Sequence, residues 1–282
     1  MPISKNKDGK IVVTTADKDL FAKNKNALIR LKSDFEYITS GSVARVVSDK
    51  TEFVTFDIED NSGRGYHLTK LFMKDIDAWV DANKGKPMQM YDSNYKEQMF
   101  NLTAIERNIG NCLVMIDIND CYWRTAYMLG YITYDTYIIG KRKKEWKTGR
   151  NACIGALAKT TVITPYRAGK PDLGGRRIIR PSREHQNIRN HIIHKVYGMF
   201  EYLFSQMGNT FCMFLTDCLV TTYDKKNYVE KFFKEEGYRT KSKPLEFTAL
   251  DRSNKKISWF DFEGVERDKL GNAIKKGIDR YY

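Results

Sequence analysis

At 282 residues with 41% hydrophobic content, the chain can bury a sizeable core and is long for one domain yet short for two, which predicts one domain with appendages. Lys and Arg outnumber Asp and Glu by 48 to 35, a net charge of +13; unpaired charge is too costly to bury, so the excess sits on the surface, either as solubilising charge or for a polyanionic partner, most simply nucleic acid. No stretch approaches the roughly 18 apolar residues of a membrane span, "MPISKNKDGK" lacks the apolar core of a signal peptide, and Cys112, Cys121, Cys153, Cys212 and Cys218 form no C-x-x-C pair, which excludes a disulfide framework and a zinc ribbon and predicts a soluble cytoplasmic protein with no membrane partner.

Residues 1–35 form a basic N-terminal arm, with its first ten residues disordered and "ADKDLFAKNKNALIRLK" able to make an amphipathic helix or a loose segment. Residues 36–110 read as an αβ extension. In it, "SVARVV" and "EFVTFDIE", separated by "SDK" and closed by "NSGRG", predict a hairpin, and "HLTKLFMKDIDAWVDAN" carries Leu68, Leu71, Phe72, Ile76, Trp79 and Val80 at helical spacing up to the stop "KGKP". After a polar stretch in which "LTAIERNI" suits a short helix, Leu113 to Ile116 make a strand and Asp120 to Leu129 a helix. A further helix ends near Lys159, and "RAGKPDLGGRRIIRPSRE" is a loop rich in Gly, Pro and Arg. The longest helix, residues 184–206, places Ile188, Ile192, Val196, Met199, Phe200 and Leu203 on one face. Two apolar strands then fold back around Thr216 and Asp217, "KKNYVEKFFKEEG" is a short amphipathic helix, and "LEFTALDRSNKKISWFDFEG" is a hairpin turning at "DRSN". The basic tail, residues 266–282, reads as loosely helical.

This order, strand with Asp117, helix, long helix, hairpin bending at Asp217, can set two strands side by side in an antiparallel sheet with both carboxylates at one edge. Two close carboxylates repel, and a divalent metal relieves that repulsion by taking oxygen ligands from both; paired ions stabilise the attacking and leaving oxygens of phosphoryl transfer. Each Asp alone reads equally as a turn former or helix N-cap.

"DINDCYW" resembles the first palm motif of family B DNA polymerases, D-x-x-S-L-Y-P, with Asp117 on the metal-binding Asp and Tyr122 on the Tyr that excludes a ribose 2′-hydroxyl. "KTGRNACIG" is similar to the fingers motif K-x-x-x-N-S-x-Y-G, with Lys147, Asn151 and Gly155 at the family spacing; "FLTDCLVTT" looks like Y-G-D-T-D-S-x-x-V, with Asp217 on the second Asp. "SNKKISW" resembles the segment that holds the primer terminus, placing Lys255 and Lys256 against phosphate. The resemblance spans about residues 111 to 262. Against it, Asp120, Trp123, Ile154 and Leu215 replace the family's Ser, Pro, Tyr and first Asp.

The resemblance implies an α+β fold: residues 111–265 as an antiparallel polymerase-like palm sheet backed by two helices, with the fingers cut to "RKKEWKTGR" and no normal thumb. It implies DNA primer-template and dNTP as partners, with Mg2+ or Mn2+ held by Asp117, Asp217 and a restored third carboxylate, Asp120. Lys147 would hold the triphosphate, with Asn151 beside it and Arg150 as a second phosphate contact. Low processivity follows, an accessory protein replacing the thumb is a further implied partner, and the compactness suggests a virus or mobile element acting in the host cytoplasm. The alternatives are a palm relic that binds nucleic acid or builds structure without catalysis, and a nuclease using water as nucleophile.

Other features fall into place around this reading. Arg176, Arg177, Arg180 and Arg183 of "DLGGRRIIRPSR" suit a phosphate strand approaching the Gly-Gly backbone, or form a basic loop. "TFDIEDNSG" resembles the exonuclease D-I-E through Asp57 and Glu59, as would the solvent face of a strand, and too little chain follows for the other exonuclease motifs. His191 and His194 lack the Glu and spacing of a zincin and read as surface or groove-lining; Tyr127, Tyr131, Tyr134 and Tyr137 suit base stacking or a core and its rim.

Overall fold

The apolar run ending at Asp117 lies inside an antiparallel sheet that is covered on both faces. The computed structural model of the chain describes residues 3–6, 9–15, 17–40, 43–56, 63–142, 146–267 and 273–282. In chain order its elements are β1 (Ile3–Lys5), β2 (Ile11–Thr15), α1 (Lys18–Arg30), β3 (Phe35–Ser40), β4 (Val43–Val47), β5 (Thr51–Phe56), α2 (Gly63–Ala82), β6 (Gln98–Phe100), α3 (Leu102–Arg107), β7 (Cys112–Ile118), α4 (Cys121–Met128), α5 (Tyr134–Lys141), α6 (Lys147–Ala156), β8 (Thr161–Arg167), β9 (Lys170–Pro171), β10 (Arg177–Ile179), α7 (Arg183–Met207), β11 (Phe211–Leu215), β12 (Cys218–Thr222), α8 (Lys226–Glu235), β13 (Thr240–Asp251), β14 (Lys256–Arg267) and β15 (Ala273–Tyr281). The chain forms two compact units, residues 1–90 with 126–190 and residues 91–125 with 191–282, so the fold is α+β with interleaved units, where the sequence suggests consecutive blocks bounded at 35, 110 and 265.

The second unit is built on a sheet of order β15-β14-β13-β7-β12-β11-β6, with every adjacent pair among the described residues antiparallel. Side chains alternate across β7. Val114, Ile116 and Ile118 pack with Val196, Phe200 and Leu203 of α7 and Val229 and Phe233 of α8. Leu113 and Met115 pack on the opposite side with Ala104 and Ile105 of α3 and with Leu245, Phe247, Ile257 and Trp259. Burial on both sides is why β7 reads as an unbroken apolar run instead of an alternating one. It also adds a helix, α3, on a face that the two-helix expectation leaves open. The whole predicted α7 stripe is buried.

The basic tail is not helical. Residues Ala273–Tyr281 pair with β14, Trp259 opposite Ile278, because the strand hydrogen-bonds an otherwise open sheet edge and tucks Ile278 and Tyr282 against the core that holds Trp259.

The first unit carries a sheet of order β1-β2-β5-β4-β3-β8-β10, with β9 on β8 and a parallel pair β2–β5. The expected arm at residues 1–35 is part of it: β1 pairs with β2, Ile3 opposite Val13, and α1, N-capped by Asp17, buries Phe21 against Phe35 and Val46. The hairpin expected from "SVARVV" and "EFVTF" forms as β4 and β5. The expected Arg-rich loop begins instead as a β-hairpin, since Ala168 (φ 48°) and Gly169 (φ 75°) make a two-residue turn between Arg167 and Lys170. A Cβ at Gly169 would collide with the Ile29 carbonyl, and the Asp34 carboxylate accepts the Ala168 N–H at 2.8 Å. In the helical part, Leu68, Phe72 and Ile76 of α2 are buried, Trp79 meets Tyr131 edge-on with centroids 4.9 Å apart, and Asp75 accepts both the N–H and the hydroxyl of Thr133 at 2.8 Å.

Candidate metal centre and nucleic-acid-binding residues

Strand pairing in the second unit brings the two aspartates together. Asp117 lies opposite Cys218, the residue after Asp217, and the Ile118 N–H donates to the Asp217 carbonyl at 2.9 Å. Both carboxylates are half-buried. Burial, and then the charges of Asp217 and Asp117, raise the Cys121 thiol well above its ordinary value and push Cys218 up to about 12. One carboxylate pair therefore acts on two thiols, and the thiols stay protonated, poor competitors for a metal.

Asp217 is presented by a turn with an unusual backbone. Leu215 and Cys218 are paired, so the turn is two residues long, and Thr216 adopts φ 51°, a left-handed conformation that β-branched residues rarely take. Its N–H donates to the Glu97 carbonyl at 2.9 Å, its hydroxyl to Asp217 Oδ1 at 3.1 Å, and its carbonyl accepts from the Tyr122 hydroxyl at 3.1 Å. The same Tyr122 oxygen lies 3.1 Å from the Tyr197 hydroxyl. Burial is the first cause raising the Tyr122 pKa far above its ordinary value, followed by Tyr197.

Asp120 stands apart from this pair. It is left-handed at φ 54° and its carbonyl receives the Arg124 N–H of α4 at 2.8 Å, the behaviour of a strand-to-helix junction, where Asp tolerates this conformation. Among the described residues no group of three His, Cys, Asp or Glu side chains is placed to hold a metal ion, so Asp120 does not complete a three-carboxylate set. Two carboxylates nevertheless suit Mg2+ or Mn2+, hard ions that take remaining ligands from phosphate and water.

In the first unit, Lys147 and Asn151 are both exposed, one turn apart on α6. Arg150 is not a phosphate contact: it is 7% exposed and its guanidinium donates to the Gly140 carbonyl at 2.7 Å, tying α6 to the end of α5. Arg176, Arg177 and Arg180 are exposed at or beside β10; Arg177 is ion-paired to Glu36, whereas Arg176 and Arg180 have no ion-pair partner among the described residues.

Lys255 is exposed in the β13–β14 turn at φ 51°. Lys256 is instead committed to Asp279 of β15 at 2.7 Å, an interaction the tail's helical reading hid. Asp57, Glu59, Lys143, Lys144 and Glu145 lie outside the described residues. Tyr131 and Tyr137 are buried and Tyr127 stacks on Tyr137 at 4.6 Å, a core and its rim. His191 stacks on Tyr91 at 4.1 Å and the exposed His194 faces Asp92 at 3.6 Å.

Residues absent from the sequence reading also border the carboxylates. Lys241 of β13 is opposite Asp117, and Lys243 is opposite Met115, which puts both lysines on the Asp117 face of the sheet. The alternation in "TKSK" signals a strand with two lysines on one face, yet only the β13–β7 pairing tells which face. Tyr197 lies on α7 beside the predicted apolar stripe, and nothing in the sequence signals that its hydroxyl meets Tyr122. No helix of the described residues is long and apolar enough to cross a membrane. No protein-family model matches the chain, and no curated protein shows significant similarity to it.

Proposed function

We propose that the protein is a metal-dependent nucleotidyltransferase resembling a minimal DNA polymerase, adding deoxynucleotides to a primer 3′ end. The observation that carries this reading is the placement of Asp117 and Asp217 at one end of adjoining strands, Asp117 opposite Cys218. Asp117 and Asp217 would hold Mg2+ or Mn2+, whose chemistry is to stabilise charge on the attacking and leaving oxygens. Around them, Tyr122 orients its ring against the sugar, and Lys241 adds positive potential beside Asp117. Lys147 and Asn151 serve the triphosphate, and Lys255, Arg176 and Arg180 serve nucleic-acid phosphate. The net charge of +13 supports a polyanionic partner.

A second reading, nucleic-acid binding without catalysis, is favoured by the two-carboxylate rather than three-carboxylate set among the described residues and by the burial of Arg150. Extension of a labelled primer-template with four dNTPs and Mg2+ or Mn2+ separates the two. Nucleotidyl transfer requires extension by the wild type and a loss of about a thousand-fold or more in Asp117→Asn and Asp217→Asn, with folding nearly intact. Extension that survives Asp217→Asn sinks the assignment; no extension, with salt-sensitive binding of the same DNA by wild type and variants alike, establishes the binding reading.

A further inference from the structure

We propose that Arg280 and Tyr282 are positioning residues for the carboxylate turn: they brace β6 from the opposite edge of the sheet, and β6 holds the backbone that presents Asp217. In the second unit's sheet β15 and β6 are the two outermost strands, with five strands between them. At about 4.8 Å per strand spacing, a flat sheet would keep them about 29 Å apart. They meet instead. The Arg280 guanidinium donates to Gln98 Oε1 at 3.0 Å, and the Tyr282 and Phe100 ring centroids are 5.9 Å apart, so the sheet curls until side chains of its two edges touch. Strand alternation fits these contacts, because it puts Ile278, Arg280 and Tyr282 on one face of β15 and Gln98 and Phe100 on one face of β6. Ile278, Tyr282 and Phe100 all pack against the core that holds Trp259.

The brace is itself anchored. The Tyr282 N–H donates to the Lys255 carbonyl of the β13–β14 turn at 2.9 Å, and Arg252 of that turn pairs with Glu106 of α3, the helix after β6, at 2.8 Å. β6 needs the support, since it has three residues and among the described residues pairs with β11 alone. What it holds is the turn. Gln98, the residue that Arg280 reaches, is paired with Leu215, and the Glu97 carbonyl accepts the Thr216 N–H at 2.9 Å. Thr216 is β-branched at φ 51°, a conformation that persists only where surrounding contacts over-determine it. Releasing β6 therefore frees the Asp217 turn on its outer side, while the pairing of β12 with β7 still holds it on the inner side.

Only the consequence for metal binding rests on the nucleotidyltransferase reading. The experiment compares the full-length wild type with Arg280→Ala, Gln98→Ala, their double variant and Tyr282→Ala by amide hydrogen exchange and by primer extension across a Mn2+ titration. Arg280 is exposed, so its truncation leaves the core intact. Loss of its bond to Gln98 should raise exchange at residues 97–100 and 215–218 about three-fold while α8 exchanges as in the wild type. The double variant should match either single variant, because the bond is already gone. Tyr282→Ala removes the ring contact, keeps the backbone bond to Lys255, and should loosen the same two segments at least as much. In extension, the half-saturating Mn2+ concentration of Arg280→Ala should rise about three-fold while the rate at saturating Mn2+ stays within about two-fold. Exchange at 215–218 that keeps its wild-type rate in both Arg280→Ala and Tyr282→Ala, or additive effects in the double variant, overturns the brace. A loosened turn with an unchanged Mn2+ titration overturns the positioning role. A loosened turn in a protein whose wild type extends no primer supports the brace and refutes nucleotidyl transfer.

Discussion

The sheet of the second unit is packed on both faces and the sheet of the first is not bounded in the same way. Around β7, α3 covers one face and α7 with α8 the other. In the first unit, α1 and neighbouring strands enclose Phe21, Phe35 and Val46, while the edge strands expose Ile3 at 70%, Ile178 at 58% and Ile179 at 53%. The carboxylate pair belongs to the first kind of sheet and the exposed arginines of β10 to the second. Close placement of two like charges needs backbone that cannot yield, which two-sided close packing provides; a charged edge that meets an extended polyanion needs only to be accessible.

The contrast can be broken by core truncation. Phe200 is fully buried, stacks on Phe214 at 4.9 Å and meets Phe233 edge-on. Phe200→Ala should cost about 3–5 kcal/mol in urea unfolding, against about 2 kcal/mol for Val46→Ala, which removes two methyl groups. Equal costs would mean that the two sheets are equally braced.

A smaller effect separates two neighbours on α6. Arg150→Ala strands the Gly140 carbonyl and should cost about 2–3 kcal/mol. Lys147→Ala, at an exposed position, should change stability by no more than about 0.5 kcal/mol. The reverse order would make Lys147 structural and leave Arg150 available to a ligand.

The smallest effect concerns the β14–β15 edge. The Lys256 ammonium and then the Ser258 hydroxyl hold the exposed Asp279 below its ordinary carboxylate value of 3.8. A lowered folded value means that the stabilisation is present above the ordinary value and is lost as pH falls through the lowered one. Amide exchange of β15, corrected for intrinsic rate, should therefore rise modestly between about pH 5 and pH 2, and Asp279→Asn should remove that dependence. The same pH response in Asp279→Asn would assign it to another carboxylate.

Much of the second unit was legible because its signals are local. A four-residue apolar run before Asp117, a long helix with a 3.6-residue stripe, and two apolar strands meeting at Thr216-Asp217 each announce an element through periodicity and turn chemistry. Arg150 and Lys256 were misread because they are basic residues in a basic chain, and nothing in the sequence distinguishes a guanidinium that caps a neighbouring helix from one that meets phosphate. Residues 1–35 and 266–282 were misread for a related reason: β1 and β15 are edge strands stabilised by pairing with β2 and β14, and edge strands that are short or interrupted by Lys lack a strong pattern of their own.

By itself the sequence determined that this is an α+β chain, that an apolar strand delivers Asp117, that a tight bend delivers Asp217, and that the surface is strongly basic. Backbone geometry and the cost of burying charge fix these from a few neighbouring residues. Only the tertiary structure decided that β12 and β13 flank β7, which seats Asp117 between Cys218 and Lys241, that Arg150 turns inward, and that Tyr197 reaches Tyr122. Those outcomes depend on which distant segments bury one another's apolar faces, and the free energy that selects among such pairings belongs to the assembled core.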